Sequence, residues 1–502
     1  MKRKVSTDES KTSKKSKVEE FIEEIHNNRI EFAENIQKFK FNRNRLRFIN
    51  ELEKLSDDKN GICYWMSRDQ RVQDNWALLF SQKLALKNHW PLHVIFCITD
   101  DYLNSSLRNY KFLLDGLQEV SKELEDLNIN FHLLNGDHSV EIPNFLKKFN
   151  IGCLVCDLSV LRKHREWVEK IKIALPPSTG FIQIDSHNVV PVWEASDKQE
   201  YHARTMRSKI YDKLGDYLTE FPPVVRHPYD ADKNSQAKSI DWKAALKFIK
   251  SEAYAVTDFD FYKPGYKNGM IMLDTFIKER LAIYEKRQDP LGDGISNLSI
   301  YFRYGHIAPQ RAVLEVAKFR KTQSENVEMF IDEVIMRREL CENFCWYNEN
   351  YDNFNGLPDW GQKTLNDHRK DKREWNYTLE ELENAKTHDD LWNSAQLQMI
   401  KEGKMHRWLR MYWGKKILEW TKTPEEAIEF SIILNDRYNL DGREPGGYAG
   451  CLWSIGGLHD VAFAERVIFG KVRFMNYAGC KRKFKVDEYI ARYGGIVHNK
   501  KK

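Results

Sequence analysis

Short apolar segments alternate with longer amphipathic ones in the first half of the chain, and this alternation restricts the fold more than any other feature. Five segments have the length and composition of buried strands, at residues 62–66, 92–98, 131–134, 153–156 and 181–184. Helical patterns lie between these segments. Strands that alternate with helices form parallel sheets covered by helices. The sequence therefore predicts an α/β domain with a five-stranded, Rossmann-like parallel sheet.

The turn after the first predicted strand restricts the ligand that this half can bind. No G-x-G-x-x-G motif follows the first predicted strand, so a nicotinamide site has no support. An arginine-rich turn at residues 67–75 follows the first predicted strand instead, at the edge where open sheets bind ligands.

The rest of the chain follows a different pattern. From residue 271 to about residue 493 the pattern is almost entirely helical. We expect six parts: a basic disordered tail at 1–18, a helical lead-in at 19–58, the α/β domain at 59–193, an interdomain linker at 194–263, a helical domain at 264–493 and a basic tail at 494–502.

Charge and cysteine content restrict the class of protein and its compartment. The 502 residues carry a net charge of +5 and are 41% hydrophobic, which is typical of folded domains. Eight cysteines without dense spacing indicate a reducing compartment. Cys153 and Cys156 lie on one predicted strand and point to opposite faces, so we expect no metal site there. No apolar run reaches membrane-spanning length, and we expect a soluble intracellular protein.

Tryptophan is unusually frequent, with 14 residues in the chain. Trp413 and Trp420 are seven residues apart in the helical pattern of residues 406–420, so they share a helix face about 10 Å apart along the axis. A single tryptophan is usually a core residue. An ordered set of tryptophans within distinct motifs instead favours stacking or electron transfer.

Five motifs follow one another in the second half of the chain: residues 332–340 (DEVIMRREL), 386–393 (KTHDDLWN), 405–420, 441–453 and 476–484 (NYAGCKRKF). In this order they resemble the class II cyclobutane pyrimidine dimer photolyases, which are light-driven DNA repair flavoenzymes. The resemblance runs from residue 297 to residue 489 and more loosely back to residue 62. It implies a helical domain that binds FAD. It also implies an α/β domain that can carry an antenna chromophore, whose identity the sequence leaves open.

The resemblance implies a reaction as well as a fold. Excited, reduced FAD gives an electron to a flipped-out pyrimidine dimer in double-stranded DNA and recovers it after the dimer splits. A cryptochrome-like flavin photoreceptor that signals through a protein partner is the alternative. A DNA-binding protein without a cofactor is a third hypothesis, which the retained flavin motifs disfavour. The paired histidines of (6-4) photolyases have no counterpart, because His406 and His459 belong to different motifs.

Residues 293–299 (DGISNLS) combine small and hydroxyl side chains before a helical stretch, which suits either a helix cap or a phosphate group. The resemblance assigns six residues to the cofactor: Ser296, Leu298 and Ser299 at the FAD pyrophosphate, Arg410 and Asp441 beside the isoalloxazine ring, and Asn435 near flavin N5. For Arg410 and Asp441, a purely structural salt bridge is the alternative interpretation.

The resemblance also assigns residues to the lesion. Glu333 corresponds to the glutamate that hydrogen-bonds the carbonyl oxygens of the dimer, a role that calls for a hydrogen-bond donor, as a protonated carboxyl group is. An ion pair on a solvated helix face is the alternative. Met411 and Trp453 correspond to residues that line the lesion pocket. Arg337 stands where some relatives have an aromatic residue, and Phe463 where many have tryptophan.

Cations alternate with aromatic residues in and just before the last motif, a pattern typical of phosphate contact, although a charged surface also fits. The DNA-binding residues expected there are Arg473, Lys481 and Arg482. Basic clusters at residues 2–4 and 14–15 are typical of a solvated tail, a nuclear signal or both. We expect a monomer that acts in the nucleus or another DNA-containing compartment.

The resemblance finally assigns a role to the ordered tryptophans, which is to carry electrons to the buried cofactor. The expected order is Trp413 nearest the flavin, Trp392 in the middle and Trp420 outermost. The separation of Trp413 and Trp420 along their helix leaves room for an intermediate partner. We therefore expect Trp392, which comes from a separate motif, to fold between them.

Overall fold

The computed structural model describes residues 16–51, 55–56, 58–103, 105–231, 236–249 and 261–498. The basic clusters at residues 2–4 and 14–15 lie outside the described residues, as do residues 499–502 of the expected C-terminal tail. Among the described helices, none is both long enough and apolar enough to span a membrane.

One mixed sheet organises the first half of the chain. Its six strands are β1 (Leu46–Phe48), β2 (Ile62–Trp65), β3 (Leu92–Ile98), β4 (Asn130–Asn135), β5 (Cys153–Asp157) and β6 (Gly180–Ile184). They lie in the order β1-β6-β5-β2-β3-β4, and every neighbouring pair is parallel except β1 and β6. The five predicted strands are confirmed. The sixth was missed because three residues are too short to show a period, and they lie in the expected helical lead-in.

Helices cover both faces of this sheet. The first five are α1 (Lys17–Phe32), α2 (Trp76–Asn88), α3 (Leu107–Asp126), α4 (His138–Lys148) and α5 (Arg162–Ala174). Cys153 packs into the core on the α2 and α3 side, and Cys156 into the core on the α4 and α5 side. The two thiols therefore point to opposite faces, as the strand period requires.

The segment expected to be an irregular linker contains helices where the structure describes it. These are α6 (Val192–Ala195) just before it, then α7 (Ala203–Tyr211), α8 (Leu214–Tyr217) and α9 (Trp242–Phe248). Met206 and Ile210 of α7 are buried in a core shared with the helical half of the chain. In its described part the connection is therefore packed, with α7 against the helical half and Ala245 of α9 in the core of the α/β half.

The second half is largely helical, which confirms the predicted fold class. Its helices are α10 (Tyr266–Thr275), α11 (Ser299–Arg303), α12 (Pro309–Ala317), α13 (Ser324–Ile331), α14 (Arg338–Tyr347), α15 (Asp359–Asp367), α16 (Leu379–Glu383), α17 (Asp390–Glu402), α18 (Arg407–Trp420), α19 (Pro424–Tyr438), α20 (Pro445–Gly456), α21 (Tyr477–Lys483) and α22 (Val486–Tyr493). Shorter 3₁₀ turns span Arg43–Arg45, Leu281–Lys286 and Phe354–Gly356, and π-helical turns span Phe276–Arg280 and Asp332–Arg337.

Helix α18 lies at the centre of this half and packs against α17, α19 and α20. The side chain of His406 caps its first turn by accepting a hydrogen bond from the backbone N–H of Trp408 at 3.2 Å. A Cβ atom at Gly414 would lie 2.8 Å from the Cβ of Ser454, so glycine lets α18 and α20 approach closely. Thr423 and Pro424 then start α19, as the sequence pattern indicates.

Residues 458–476 form an irregular loop between α20 and α21, although the sequence pattern there suggested continued helix. The loop carries three exposed apolar side chains, Val461, Phe463 and Val467. A single bridge between Arg466 and Gly470 tightens its turn.

Buried ion pairs join the two halves of the molecule. Arg68, in the turn after β2, pairs with Glu342 of α14 and lies 2.9 Å from Glu444, just before α20. Asp74 of the same turn lies 2.9 Å from Arg311 of α12. The arginine-rich turn therefore connects the halves, and its charges are compensated within the protein.

Candidate functional site

Three neighbouring side chains of helix α18 point in three directions, and each direction leads to one group of the predicted residues. Arg410 lies against Asp441, Met411 lines a cavity, and Trp413 stacks on Trp392. At about 100° per residue, Met411 projects from the side of α18 opposite Trp413, and Arg410 projects between them. One helix therefore joins the three parts of the candidate site.

Asp441 links the predicted cofactor residues. Its carboxylate accepts hydrogen bonds from the hydroxyl of Ser299 and from Nη2 of Arg410, both at 2.7 Å. In residues 293–299, the segment that contains Ser299, the hydroxyl of Ser296 accepts a hydrogen bond from the backbone N–H of Leu298 at 3.5 Å. Burial raises the pKa of Asp441, but the charge of Arg410 and the other contacts outweigh burial and leave it below its ordinary value. Asp441 is therefore an ionised anchor for Arg410.

Two further cations near this turn were missed by the sequence analysis. Nζ of Lys404 donates to Oδ1 of Asn297 at 3.2 Å, and Arg280 lies close enough to influence its charge. Burial lowers the pKa of Lys404 to about 8; Asp441 opposes this shift, and the like charges of Arg410 and Arg280 add to it. Nε of Arg280 is buried and has no hydrogen-bond partner among the described residues. Three cations thus lie close to Asp441, with Glu402 near Lys404 and with Glu279 and Asp293 near Arg280, and the unpartnered donor of Arg280 suits an anionic group such as a diphosphate.

Asn435 belongs to a buried chain of amides that leads back to Arg410. Its side chain donates to Asp436 at 2.9 Å and accepts from the side chain of Asn439 at 3.0 Å. Oδ1 of Asn439 in turn accepts from Nη2 of Arg410 at 3.2 Å. The sequence analysis did not identify Asn439, although its position four residues after Asn435 places both on one helix face.

A cavity of ≈480 Å³ lies on the Met411 side of α18, within the size range of ligand pockets. Nine residues line it: Trp408, Met411, Trp453, Phe463, Ala464, Arg466, Arg473, Phe474 and Met475. The structure thus brings together Met411 and Trp453, the two residues assigned to the lesion pocket. Phe463 and Arg473 join them from the loop at 458–476, with the guanidinium carbon of Arg473 4.2 Å from the centre of the Phe463 ring.

Glu333 lies in the π-helical turn at Asp332–Arg337, a local irregularity often found at functional sites. One carboxylate oxygen lies 2.7 Å from Nη1 of Arg407, and the other lies 3.6 Å from Arg287. Arg407 precedes Met411 by one turn of α18. Glu333 therefore lies near the cavity end of α18 but acts as an ion-pair acceptor, where the lesion role calls for a donor.

Arg337 stands apart from the cavity. Its Nε lies 3.7 Å from Asp332, and its side chain does not appear among the described residues that line the cavity. Burial lowers the pKa of His459 to about 4, and the charges of His202 and Arg337 add to this effect. Arg337 thus lies beside the start of the loop at 458–476, where an aromatic residue would have offered a stacking surface.

The three predicted relay tryptophans form one contact series. The ring centres of Trp392 and Trp413 are 6.2 Å apart with nearly parallel planes, and those of Trp392 and Trp420 are 5.7 Å apart in an edge-on arrangement. Nε1 of Trp392 donates to the carbonyl oxygen of Trp413 at 3.1 Å, which fixes the middle ring. Trp420 is only 1% exposed, and the rings of Tyr377 and His388 lie against it.

The predicted DNA-binding residues flank the cavity. Arg473 forms two hydrogen bonds of 2.9 Å to the carboxylate of Asp460. Lys481 and Arg482 lie exposed on α21, which follows directly after the cavity residues Phe474 and Met475. Nζ of Lys481 lies 3.3 Å from Asp487. Phe484, which follows α21, contacts the cavity residue Trp408 with ring centres 5.6 Å apart, so this exposed basic helix lies next to a residue of the cavity wall.

Solved structures similar to this one identify the class of fold. A class III photolyase from Agrobacterium tumefaciens matches with a TM-score of 0.67 at 17% identity, covering 88% of each chain. A cryptochrome from Synechocystis sp. PCC6803 matches with a TM-score of 0.63 at 12% identity, covering 88% of this chain and 87% of the other. The fold is that of photolyases and cryptochromes.

Sequence comparison narrows this class. The DNA photolyase family matches residues 62–226. A deoxyribodipyrimidine photo-lyase from Potorous tridactylus is 50% identical over 484 residues, covering 96% of this chain and 90% of the relative. One from Arabidopsis thaliana is 44% identical, covering 91% and 94%. The chain belongs to the deoxyribodipyrimidine photo-lyases of the photolyase/cryptochrome family, and this family implies a flavin-type cofactor.

Proposed function

We propose that this protein repairs cyclobutane pyrimidine dimers in double-stranded DNA in a light-driven reaction, with FAD as its cofactor. The observation that carries the proposal is the position of α18, which presents Arg410, Met411 and Trp413 to three adjoining sites. The names of the sequence relatives support the same activity. A cryptochrome-like photoreceptor is less well supported, because only the fold comparison includes a cryptochrome.

The residues around Asp441 fit FAD. Three cations, Arg280, Lys404 and Arg410, lie close together, and Nε of Arg280 is buried without a partner among the described residues, so a diphosphate would satisfy this donor. Ser296, Leu298 and Ser299 would hold the diphosphate together with Lys404. Bound and reduced, FAD would supply an electron donor that blue or near-UV light excites.

The chain's own residues prepare the neighbouring sites. Asp441 fixes the guanidinium of Arg410, and Asn439 fixes the amide of Asn435, so both groups are oriented before any ligand binds. Met411 and Trp453 would offer polarizable, flat surfaces to the two pyrimidines. Extruding a damaged base costs a few kcal/mol, less than for an intact one.

Three further sets of residues would contact the lesion, the electron path and the DNA backbone. Glu333 would contact the carbonyl oxygens of the dimer after exchanging its ion pair with Arg407 for the lesion. Trp413, Trp392 and Trp420 would pass electrons inward when the cofactor has to be reduced. Arg473, Lys481 and Arg482 would contact DNA phosphates.

We further propose a monomer that acts in the nucleus or another compartment that contains DNA.

The proposal is tested with purified protein whose cofactor has been reduced chemically. A duplex with a single pyrimidine dimer is illuminated with near-UV light, and intact thymines are followed by the return of absorbance near 260 nm. We expect the absorbance to rise in the light and to stay constant in the dark. A protein that retains flavin, responds to light and leaves the dimer intact would support the photoreceptor hypothesis instead.

A further inference from the structure

Lys415 is a buried charge on α18 that none of the roles above uses. Its side chain is fully buried, and its Nζ donates a hydrogen bond to the backbone carbonyl of Ser454 at 2.9 Å. The same Nζ lies 4.9 Å from the centre of the Trp453 ring. Trp453 lines the cavity assigned to the lesion. Lys415 therefore contacts the wall of the cavity from the inside of the protein.

The position of Lys415 follows from the end of α20. The last carbonyl groups of a helix have no partner within the helix, and a cation near that end is favourable. Gly414 lets α18 approach α20 closely enough for the next residue to reach the carbonyl of Ser454. Lys415 thus caps α20 and, from the same place, presents its ammonium group to the indole of Trp453.

A second cation also touches Trp453, from the other chain segment that forms the cavity. The guanidinium carbon of Arg473 lies 5.9 Å from the centre of the Trp453 ring, and Asp460 holds this guanidinium by two hydrogen bonds. A cation within about 6 Å of an aromatic ring attracts it, and more strongly when water is excluded. Lys415 is the buried one of the two and is therefore the stronger restraint on the indole.

We propose that Lys415 is a positioning residue for the lesion cavity: its ammonium group, anchored on Ser454, holds the indole of Trp453 in the orientation that receives the flipped pyrimidines. The inference rests on the proposed function, because it assumes that a dimer enters this cavity. It predicts that the preference for damaged over undamaged DNA depends on the positive charge of Lys415.

This charge can be removed by a modest change of pH. Burial lowers the pKa of Lys415 to about 7; Asp460 opposes this shift and Arg473 adds to it. Among the described residues of the elements packed against α18, these are the charged groups that act on Lys415. The neighbouring His459 stays neutral in this range, because burial lowers its pKa to about 4. As the pH rises through about 7, Lys415 loses its proton, so the preference for damaged DNA should fall.

The test measures the affinity of the flavin-loaded protein for a dimer-containing duplex and for the same duplex undamaged, from about pH 6 to about pH 9. The ratio of the two affinities removes effects of pH on phosphate binding in general. We expect the wild-type ratio to fall roughly tenfold over this range, the effect of losing one desolvated cation–π contact. Lys415→Met should give a low ratio at every pH, and Lys415→Arg a high ratio at every pH.

Lys416→Met is the matched control. Lys416 is the next residue on the same helix, and its Nζ lies 2.6 Å from Glu419, away from Trp453. This variant should keep the wild-type pH profile. If Lys415→Arg does not fold, the wild-type and Lys415→Met profiles still decide the matter.

Two results would overturn the inference: a wild-type ratio that stays well above one and does not change with pH, or a Lys415→Met variant that keeps the wild-type ratio and its pH step. A wild-type protein that binds damaged and undamaged DNA equally at every pH would instead overturn the proposed function. The two failures are therefore distinguishable.

Discussion

Helix α18 separates two groups of tryptophans that share a residue type and differ in everything around them. Trp413 and Trp420 lie on its inner side with Trp392, and all three rings are buried and in contact. Trp408 and Trp453 lie at the cavity on its other side, where both are half-buried. The inner rings are buried among the side chains around α18, whereas the other two rings line the cavity.

The burial of a tryptophan ring determines whether it can stack on a base or only pass electrons to a neighbouring ring. A ring surrounded by other rings cannot stack on a base, but it is suitable for passing electrons over short distances. A ring with an open face can stack on a base, and such stacking is worth about 1–3 kcal/mol. If this division is correct, substitutions in the two groups should have separate and reciprocal effects.

The largest effect is expected from Trp392→Phe, which breaks the inner series at its middle ring. Phenylalanine keeps most of the packing but lacks the readily oxidised indole, and the rings of Trp413 and Trp420 do not contact each other in this series. Photoreduction of oxidised FAD with an external thiol should therefore fall to background. Enzyme that has been reduced chemically beforehand should still repair dimers.

Trp408→Phe is the reciprocal control for this prediction, because Trp408 lies on the cavity side of the same helix. Photoreduction in this variant should match the wild type. Wild-type photoreduction in Trp392→Phe would rule out the relay. Loss of both photoreduction and repair would show that Trp392 is simply a core residue.

Trp453→Ala is expected to produce the opposite pattern. Removing one stacking surface should weaken the binding of dimer-containing DNA by about 1–3 kcal/mol and leave photoreduction unchanged. The binding of undamaged DNA should change little, because an intact duplex has no base in the cavity. Equal losses on damaged and undamaged DNA, measured by fluorescence anisotropy, would contradict a role of the cavity in recognising the lesion.

Glu333→Ala should produce a smaller effect, because Glu333 does not line the cavity and lies beside it through its ion pair with Arg407. Flavin content should stay intact and the repair yield per absorbed photon should fall severalfold, because the charge on the lesion is less well stabilised. Glu339→Ala is the control: burial raises the pKa of Glu339 to about 8, and its carboxylate accepts hydrogen bonds from the backbone of Val189 and Val190. This variant should lose stability in urea, where Glu333→Ala should not. A normal yield in Glu333→Ala with a reduced yield in Glu339→Ala would mean that the wrong glutamate was assigned.

The sequence was sufficient for five of the six strands and for the shared helix face of Trp413 and Trp420, because both depend on regular periods. The apolar strands at 92–98 and 153–156 could be recognised from composition alone. The place of Trp392 between Trp413 and Trp420 was implied by the family resemblance, and the spacing of those two residues only left room for it. By contrast, β1 has only three residues and shows no period. The loop at 458–476 could not be predicted because its shape depends on tertiary contacts rather than on local pattern.

Charge pairing was the least predictable part of the site. The arginine-rich turn at 67–75 suggested a ligand edge, yet Arg68 is satisfied by Glu342 and Glu444, which come from distant parts of the chain. The cations at Lys404 and Arg280 show the reverse case, because no motif marks them and the fold leaves Nε of Arg280 buried without a partner among the described residues. The sequence gives the number and positions of the charged residues, but not which of them pair in the folded protein.

The smallest effect is expected from replacing the cations Lys481 and Arg473, which should change the salt dependence of DNA binding. Each phosphate contact contributes about 0.9 to the slope of log affinity against log salt concentration. Lys481 faces solvent, and its partner Asp487 is itself highly exposed. Lys481→Ala should therefore reduce the slope for undamaged DNA by nearly one such contact.

Arg473→Ala should reduce the slope by less than Lys481→Ala, because two hydrogen bonds to Asp460 already neutralise much of its charge. Its larger effect should appear in the preference for damaged DNA, since its guanidinium lies over the rings of Phe463 and Trp453. Lys267→Ala, which removes an exposed lysine on α10, should change neither quantity. Salt titrations of all three variants on both duplexes measure these differences. An equal reduction of the slope by Arg473→Ala and Lys481→Ala, with the preference unchanged, would mean that Arg473 binds phosphate and does not shape the cavity.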